Sequence, residues 1–184
     1  MQRLKLFLPL LVFVVLAVFF FVVQKQISRG EYDPQNMPSA LIDKPLPDFA
    51  LPNLVGDNVI RRADVVGHIL LVNIWATWCP TCHYEHPHLN KFAEQGVIIL
   101  GVDYKDDADK ARKWLQEKGN PYRWVITDQQ GTLGLDLGVT GAPETYVVDA
   151  KGVVRLRYQG ALDDRIWRET IQPMIEKLQR EGSV

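Results

Sequence analysis

Cysteine is scarce in this chain, with only 2 among 184 residues, at positions 79 and 82. Two cysteines three positions apart close too small a loop to staple a domain. The chain is also long enough to bury a hydrophobic core without a disulfide staple. A purely structural disulfide is therefore the plainest alternative for this pair, and chemistry is the favoured interpretation.

Excess charge of either sign is absent too. The formal net charge is −1, and residues 39–184 hold 17 Lys and Arg against 20 Asp and Glu. This balance excludes a basic surface for nucleic acid. The sequence shows no internal repeat and, outside its N-terminal region, no low-complexity segment. No exposed heptad pattern appears either, so we expect a tethered monomer.

The N-terminal region lacks charge over a long stretch, because residues 6–23 are 18 consecutive uncharged and mostly apolar residues. As a helix this run would span about 27 Å, close to the roughly 30 Å core of a bilayer. No Ala-x-Ala-like cleavage site follows it, which disfavours a removed signal peptide. No polar face interrupts it, which disfavours a buried core helix. The run predicts an uncleaved signal anchor.

The anchor divides the chain into four predicted parts. Residues 1–5 form a short cytoplasmic tail, 6–23 the transmembrane anchor, 24–38 a polar tether, and 39–184 one folded domain. The positive charges flanking the anchor give only a slight orientation bias. A short N-terminal tail normally stays in the cytoplasm, so we expect a single-pass protein of the bacterial inner membrane with its domain in the periplasm.

The folded part is predicted to be an α/β domain with a mixed sheet flanked by helices. Near-continuous apolar runs predict strands buried on both faces, and the segment 149–152 predicts a hairpin turn. A strand–helix alternation followed by a hairpin and a last helix indicates parallel strands with an antiparallel edge. The predicted strands are 69–75, 97–102, 124–126, 145–148 and 153–158, and the predicted helices are 80–95, 107–118 and 165–179, the last interrupted by Pro173.

The cysteine pair lies between the first buried strand and the first helix of the domain. We expect Cys79 at or beside the helix N-cap, Pro80 at the first helical position and Cys82 one turn in. The helix N-terminus would then stabilise a thiolate on an exposed Cys79. Cys82 would be placed to attack a mixed disulfide formed on Cys79.

Two cofactor sites compete with redox chemistry. A zinc site would need more ligands than two cysteines, and His83, His86 and His88 cannot all join them from one helix without distortion. The segment Cys79-Pro80-Thr81-Cys82-His83 matches the literal pattern for haem attachment. However, c-type cytochromes are usually helical, whereas this cysteine pair follows a buried strand in an α/β chain. We expect no cofactor and no metal, and predict that the histidines are polar surface residues.

Two motifs carry a resemblance to a known fold. With Trp78-Cys79-Pro80-Thr81-Cys82 and Gly141-Ala142-Pro143, the sequence over about residues 45–180 resembles thioredoxin-fold proteins. Segments 82–86, 101–106 and 138–145, together with the anchor, are similar to the cytochrome c biogenesis thioredoxins called CcmG or DsbE.

This resemblance implies a reductant. Such proteins keep the thiols of apocytochrome c reduced, directly or through a partner thiol protein, and are recharged by a membrane thiol reductant of the DsbD or CcdA type. It implies Cys79 as nucleophile, Cys82 as resolving thiol and Trp78 as a shield of the disulfide. It also implies a cis Pro143 that exposes the backbone of Ala142 to an extended substrate.

One position departs from thioredoxin itself. Thioredoxin carries a buried aspartate six residues before the first cysteine, and here that position is Asn73. Glu85 and Glu144 match the acidic residues of the resembled family. Our hypothesis is that one of them, partly desolvated, has a raised pKa and accepts the Cys82 proton. The alternative is that both are solvated surface acids.

Two rival enzymes share the fold. A disulfide-forming oxidase or isomerase would differ in reduction potential, which the Pro80-Thr81 dipeptide tunes without settling its direction. A peroxiredoxin would need a Pro-x-x-x-Thr-x-x-Cys pocket, and Ala76 stands where the threonine is required.

Overall fold

The computed structural model describes residues 2–28 and 40–182. It divides into two compact units, Met1–Met37 and Pro38–Val184. The first unit contributes one helix, α1 (Gln2–Ser28), whose large apolar side chains between Leu10 and Val22 are exposed. Within the described residues, no helix combines the length and the apolar content that crossing a membrane requires. The predicted tether, 24–38, falls largely outside the described residues, and the predicted boundaries stay predictions.

A five-stranded mixed sheet organises the second unit. Its strands are β3 (Leu70–Trp75), β4 (Ile99–Tyr104), β5 (Trp124–Asp128), β6 (Glu144–Val148) and β7 (Val154–Gln159), in the order β5-β4-β3-β6-β7. β3, β4 and β5 are parallel, while β6 and β7 continue the sheet antiparallel. The α/β order, the parallel crossings and the antiparallel hairpin expected from sequence are confirmed.

The central strand β3 is buried at every position, because the sheet is covered on both faces. Side chains alternate between the faces, so Leu71, Asn73 and Trp75 share one face. This face packs against the helices α3 (Pro80–Glu94) and α4 (Ala108–Lys118). Asn73 is fully buried there. The register pairs Asn73 with Gly101 on one side and with Thr145 on the other. One polar side chain thus sits at the centre of the sheet, under the helix that carries the cysteines.

The C-terminal helix differs from the single interrupted helix expected at 165–179. It runs from Asp164 to Gly182 as α6 (Asp164–Ile166), a π-helical segment (Trp167–Ile171) and α7 (Gln172–Gly182). Pro173 lies in the first turn of α7 and has no N–H to donate. The wider π turn just before it, closed by Gln172 N–H to the Trp167 carbonyl, carries the chain past the proline without ending the helix.

Four short elements were not expected from the sequence. They are β1 (Ala50–Pro52), β2 (Val59–Arg61), α2 (Arg62–Val65) and α5 (Thr132–Leu137). β1 and β2 form a small antiparallel hairpin, and the loop between them bonds to the outer strand β5 through Leu54 N–H to the Val125 carbonyl. Three-residue strands give no measurable alternation of apolar residues, so their position follows only from this contact with β5. The hairpin protects an otherwise open sheet edge.

Candidate redox site

The site is built where β3 ends and α3 begins. Cys79 and Cys82 form a disulfide with a Cα–Cα distance of 5.3 Å. Cys79 is the N-cap of α3, and its Sγ accepts a hydrogen bond from the backbone N–H of Cys82 at 3.1 Å. Pro80 occupies the first helical position, where its missing N–H costs nothing. The predicted placement of the pair at the helix N-terminus is confirmed.

Exposure of the pair differs from the expectation. In the disulfide-bonded chain both Cys79 and Cys82 are only 2 % exposed, so Cys79 is not the open residue that the sequence suggested. The reason is the loop before β6, where the Ala142–Pro143 peptide bond is cis and the Ala142 carbonyl oxygen lies 3.3 Å from Cys79 Sγ. The cis proline implied at 143 is therefore present, and its loop covers the outer sulfur.

A second loop, between β4 and α4, contacts the residues just before Cys79. The indole N–H of Trp78 donates to the Lys105 carbonyl at 3.1 Å, and the side chain is 53 % exposed. The Asp106 carboxylate accepts from both the backbone N–H and the hydroxyl of Thr77. Asp107 caps α4 by accepting from Asp109 N–H and Lys110 N–H. The loop therefore holds the 77–78 segment in place, and the shielding role of Trp78 stays a prediction.

Glu85 lies one helical turn after Cys82, on the same face of α3. It is fully buried, accepting from the Leu162 N–H at 2.9 Å and from Asn73 Nδ2 at 3.1 Å. Burial raises its pKa to about 7, although these two hydrogen bonds oppose the shift. Near neutral pH this carboxyl can hold or release a proton beneath the disulfide, as the hypothesis for one of the two glutamates requires.

Asn73 connects Glu85 to two further side chains that the sequence did not indicate. Its Nδ2 also donates to Thr145 Oγ1 at 3.1 Å, and its Oδ1 accepts from the Tyr122 hydroxyl at 3.0 Å. Gly101 gives an indirect signal for Tyr122, because the tyrosine ring packs so close to this glycine that a Cβ there would fall 2.7 Å from the ring. A glycine inside a strand pattern signals such a close approach, but not which residue approaches.

Glu144 does not fit the hypothesis of a raised pKa. Its carboxylate forms a buried ion pair with Arg157 and accepts from the Tyr146 hydroxyl, the Thr140 hydroxyl and the backbone N–H groups of Thr140 and Gly141. Burial acts to raise the pKa of Glu144, but these hydrogen bonds outweigh it and lower the pKa. Glu144 is thus an ionised clamp on the loop that ends in the cis proline, not a proton acceptor.

His86 corrects the prediction that the nearby histidines are surface residues. It is 2 % exposed, its Nε2 bonds to the Gly119 carbonyl at 2.9 Å, and its ring lies 4.2 Å from the Trp114 ring. Burial lowers its pKa, which keeps the ring neutral. His83 stays exposed and bonds to the Thr77 carbonyl. Across residues 2–28 and 40–182, no group of three or more His, Cys, Asp or Glu is placed to hold a metal ion.

Comparisons with known proteins agree with this geometry. The Redoxin family model matches residues 42–171. The thiol:disulfide interchange protein DsbE of Pseudomonas aeruginosa is 50 % identical over 181 residues, covering 97 % of this chain and 96 % of the relative. DsbE of Escherichia coli is 45 % identical over 185 residues and all of both chains. A secreted thiol-disulfide isomerase of Corynebacterium glutamicum shares the fold, with a TM-score of 0.65, 21 % identity, and coverage of 79 % of this chain and 96 % of that one.

A disulfide capping a helix on this mixed sheet defines the class, a thiol–disulfide oxidoreductase with a thioredoxin-like fold. The matches to relatives over nearly the whole chain identify the family. The chain belongs to the Redoxin family and, within it, to the thiol:disulfide interchange proteins DsbE.

Replacing Glu85 by Gln is expected to change how stability depends on pH. Because the pKa rises from an ordinary 4.5 to about 7, the folded chain keeps a proton that the unfolded chain has already released between these values. The free energy of unfolding therefore falls by about 3 kcal/mol as pH rises through this window. Glu85→Gln removes that part of the decline, which urea unfolding of the full-length oxidised chain at several pH values measures.

The matched control is Glu94→Gln, which changes an exposed glutamate of the same helix. It should leave the decline of the wild-type chain intact. Parallel curves for wild type and Glu85→Gln would show that Glu85 has an ordinary pKa.

Replacing Arg157 by Met is expected to destabilise the chain by about 3 to 5 kcal/mol, because it leaves the buried Glu144 carboxylate without its cation. Arg165→Met in α6 is the control. Arg165 pairs with Glu169 at side-chain exposures of 64 % and 61 %, so its loss should cost about 1 kcal/mol or less. Chemical denaturation measures both variants, and equal losses would contradict the assignment of Glu144 as a buried, ionised clamp.

Proposed function

We propose that this oxidoreductase acts as a reductant in cytochrome c maturation. It keeps the two thiols of apocytochrome c reduced, either directly or through a partner thiol protein. The observation that carries the direction of electron flow is the burial of Glu85 one turn beyond Cys82. When Glu85 is ionised, its negative charge disfavours a thiolate on the neighbouring Cys82 and so destabilises the reduced form of the pair. A cysteine pair whose reduced form is poorly stabilised is a strong electron donor, whereas a strong oxidant has a well-stabilised reduced form.

The exchange reaction follows from the asymmetry of the two sulfurs. The Cys79 thiolate, at the helix N-cap, attacks the substrate disulfide, and one substrate sulfur leaves as a thiolate. The Cys82 thiol then gives its proton to the Glu85 carboxylate and attacks the mixed disulfide. This step forms the Cys79–Cys82 bond and releases the second substrate thiolate. Two electrons pass to the substrate, and its two thiolates take up protons.

The substrate would dock along the loop that ends in the cis proline. The backbone of Ala142 lies against Cys79 and offers hydrogen-bonding groups to an extended peptide. Trp78 and Tyr84 present exposed aromatic surface near the same end of α3. An unfolded apocytochrome segment containing Cys-x-x-Cys-His fits this mode of recognition, because it binds through its backbone rather than through a preformed shape.

Location and electron supply complete the proposal. Residues 6–23 would anchor the chain in the inner membrane, with the tail 1–5 in the cytoplasm and the domain 39–184 in the periplasm as a monomer. The support is the run of 18 uncharged residues in the sequence. The side chains at the start of this run lie outside those that the structure describes. Oxidised Cys79–Cys82 would be reduced again by a membrane thiol reductant of the DsbD or CcdA type.

A disulfide-forming oxidase or isomerase is the second candidate. The observation that favours it is the N-cap position of Cys79, because a helix N-terminus stabilises a thiolate and so stabilises the reduced form. The two candidates therefore differ in which effect dominates, the helix terminus at Cys79 or the buried carboxylate near Cys82.

The reduction potential decides between them. The full-length chain, equilibrated with glutathione redox buffers and followed by tryptophan fluorescence, should show a potential at or below roughly −200 mV. A value near roughly −120 mV would contradict the reductant and support an oxidase. Glu85→Gln, measured at about pH 8 where Glu85 is ionised, should raise the potential by about 30 mV, a tenfold change in equilibrium constant.

The substrate is tested separately with peptides. The reduced chain should reduce an oxidised Cys-x-x-Cys-His peptide faster than the same peptide with proline on each side of the cysteine pair, because proline has no backbone N–H to donate. Equal rates would leave a reductant without the proposed mode of recognition and would count against apocytochrome as its substrate.

A further inference from the structure

Asp103 is a second buried carboxyl near the redox site, and the reaction described above does not use it. It lies on β4 and is paired in register with Trp75 of β3. Trp75 is four residues before Cys79 in the sequence. Asp103 shares its sheet face with Gly101 and so with the side that packs on α3. Asp103 is fully buried, and within the described part of the chain neither carboxylate oxygen accepts a hydrogen bond from an N–H or hydroxyl donor. A buried carboxylate needs donors or a paired cation, so its ionised form is poorly accommodated here.

The charged groups around Asp103 do not supply those donors. Asp106 and Asp107 from the following loop add negative charge, while Arg112 of α4 provides the opposing positive charge. Arg112, however, donates to the Leu54 carbonyl and to Asp109. The Tyr122 hydroxyl donates to Asn73. Burial, then the negative charge of Asp106 and a hydrogen bond between the Asp103 and Asp106 side chains, raise the pKa of Asp103 to about 8.

Asp106 has one acceptor position that a protonated neighbour can fill. Its Oδ1 accepts from the Thr77 hydroxyl at 2.9 Å and from Asp107 N–H at 2.7 Å, while among the residues that the structure describes its Oδ2 accepts from Thr77 N–H alone. A carboxylate oxygen has room for a second donor. A protonated Asp103 can donate to this position on Asp106. A single proton therefore gives the Asp103 carboxyl a hydrogen-bond partner and leaves the contacts between Asp106 and Thr77 in place.

We propose that Asp103 is a positioning residue of the redox site: its protonated carboxyl donates to Asp106 and keeps that carboxylate oriented to hold Thr77, two residues before Cys79. The inference rests on the oxidoreductase activity alone and not on the apocytochrome substrate. His83 bonds to the Thr77 carbonyl from α3, so Thr77 is held from two elements.

The arrangement is sensitive to alkaline pH. When Asp103 loses its proton, the donor to Asp106 disappears and two negative charges face each other across a buried contact. The hold on Thr77 then weakens, and Trp78 and Cys79, which follow directly, become less well positioned. Above about pH 8, disulfide exchange should therefore fall short of the increase that thiolate formation alone provides.

The test compares wild type with Asp103→Asn, whose amide donates to Asp106 at every pH. Hydrogen exchange of the segment containing Thr77, measured by mass spectrometry on the full-length oxidised chain and corrected for base catalysis, reports the contact. Between about pH 7 and pH 9, wild type should lose protection severalfold. Asp103→Asn should keep it, and its reduction by a small dithiol should overtake that of wild type severalfold at the upper end.

Two further variants and one spectroscopic measurement make the outcome decisive. Asp106→Asn should lower Thr77 protection at every pH, while Asp57→Asn, which changes an exposed turn residue, should behave as wild type. If Asp103→Asn does not fold, the infrared C=O band of a protonated aspartic acid still tests the proposal, measured in Glu85→Gln so that the Glu85 carboxyl, which ionises near pH 7, adds no band of its own. That band should be present at neutral pH and vanish with a midpoint near 8. Its absence at neutral pH, or parallel protection in wild type and Asp103→Asn, overturns the proposal.

Discussion

The hydrogen bonds of Asn73 tie together the elements on which the redox site depends. From the middle of a strand that is otherwise apolar, this side chain bonds to Glu85 on α3, to Thr145 on β6 and to Tyr122 before β5. Each buried bond contributes only about 1 kcal/mol, but leaving one partner unsatisfied costs about 1 to 3 kcal/mol. A shift of α3 against the sheet would break the bond to Glu85. The helix that carries both cysteines is therefore fixed relative to the strand that precedes them.

The two sulfurs consequently experience opposite electrostatic environments. The helix N-terminus acts on Cys79, which caps it, and favours a thiolate there. The buried Glu85 carboxyl lies one turn beyond Cys82 and disfavours a thiolate on that side. In the proposed exchange, this asymmetry separates the attacking sulfur of Cys79 from the resolving sulfur of Cys82, which would transfer its proton. Cys79 is itself covered in the oxidised chain, and the loop at Ala142–Pro143 lies against its sulfur. The buried Glu144–Arg157 pair holds that loop in place.

Local sequence patterns were sufficient for the main elements and for the position of the disulfide. The apolar runs of β3 and β4, the hairpin turn at 149–152 and Pro80 after Cys79 act over a few residues, and the structure confirms each of them. Long-range contacts were beyond this kind of reasoning. The fold buries Glu85 and raises its pKa by that burial, beside Leu162, which is 77 positions away in sequence. His86 is likewise buried against Trp114. Sequence alone could not separate Glu85 from Glu144, because only the fold places Arg157 beside one of them.

The resolution step offers the most direct test of the central claim that Glu85 accepts the Cys82 proton. A mixed disulfide between Cys79 and a small aromatic thiol can be formed in the full-length chain, and release of the thiol followed by stopped-flow absorbance. In wild type the rate should rise with an inflection near pH 7, where the carboxyl ionises. Glu85→Gln should lose that inflection and retain only the alkaline rise of the thiol itself. Identical pH profiles for the two proteins would contradict the account.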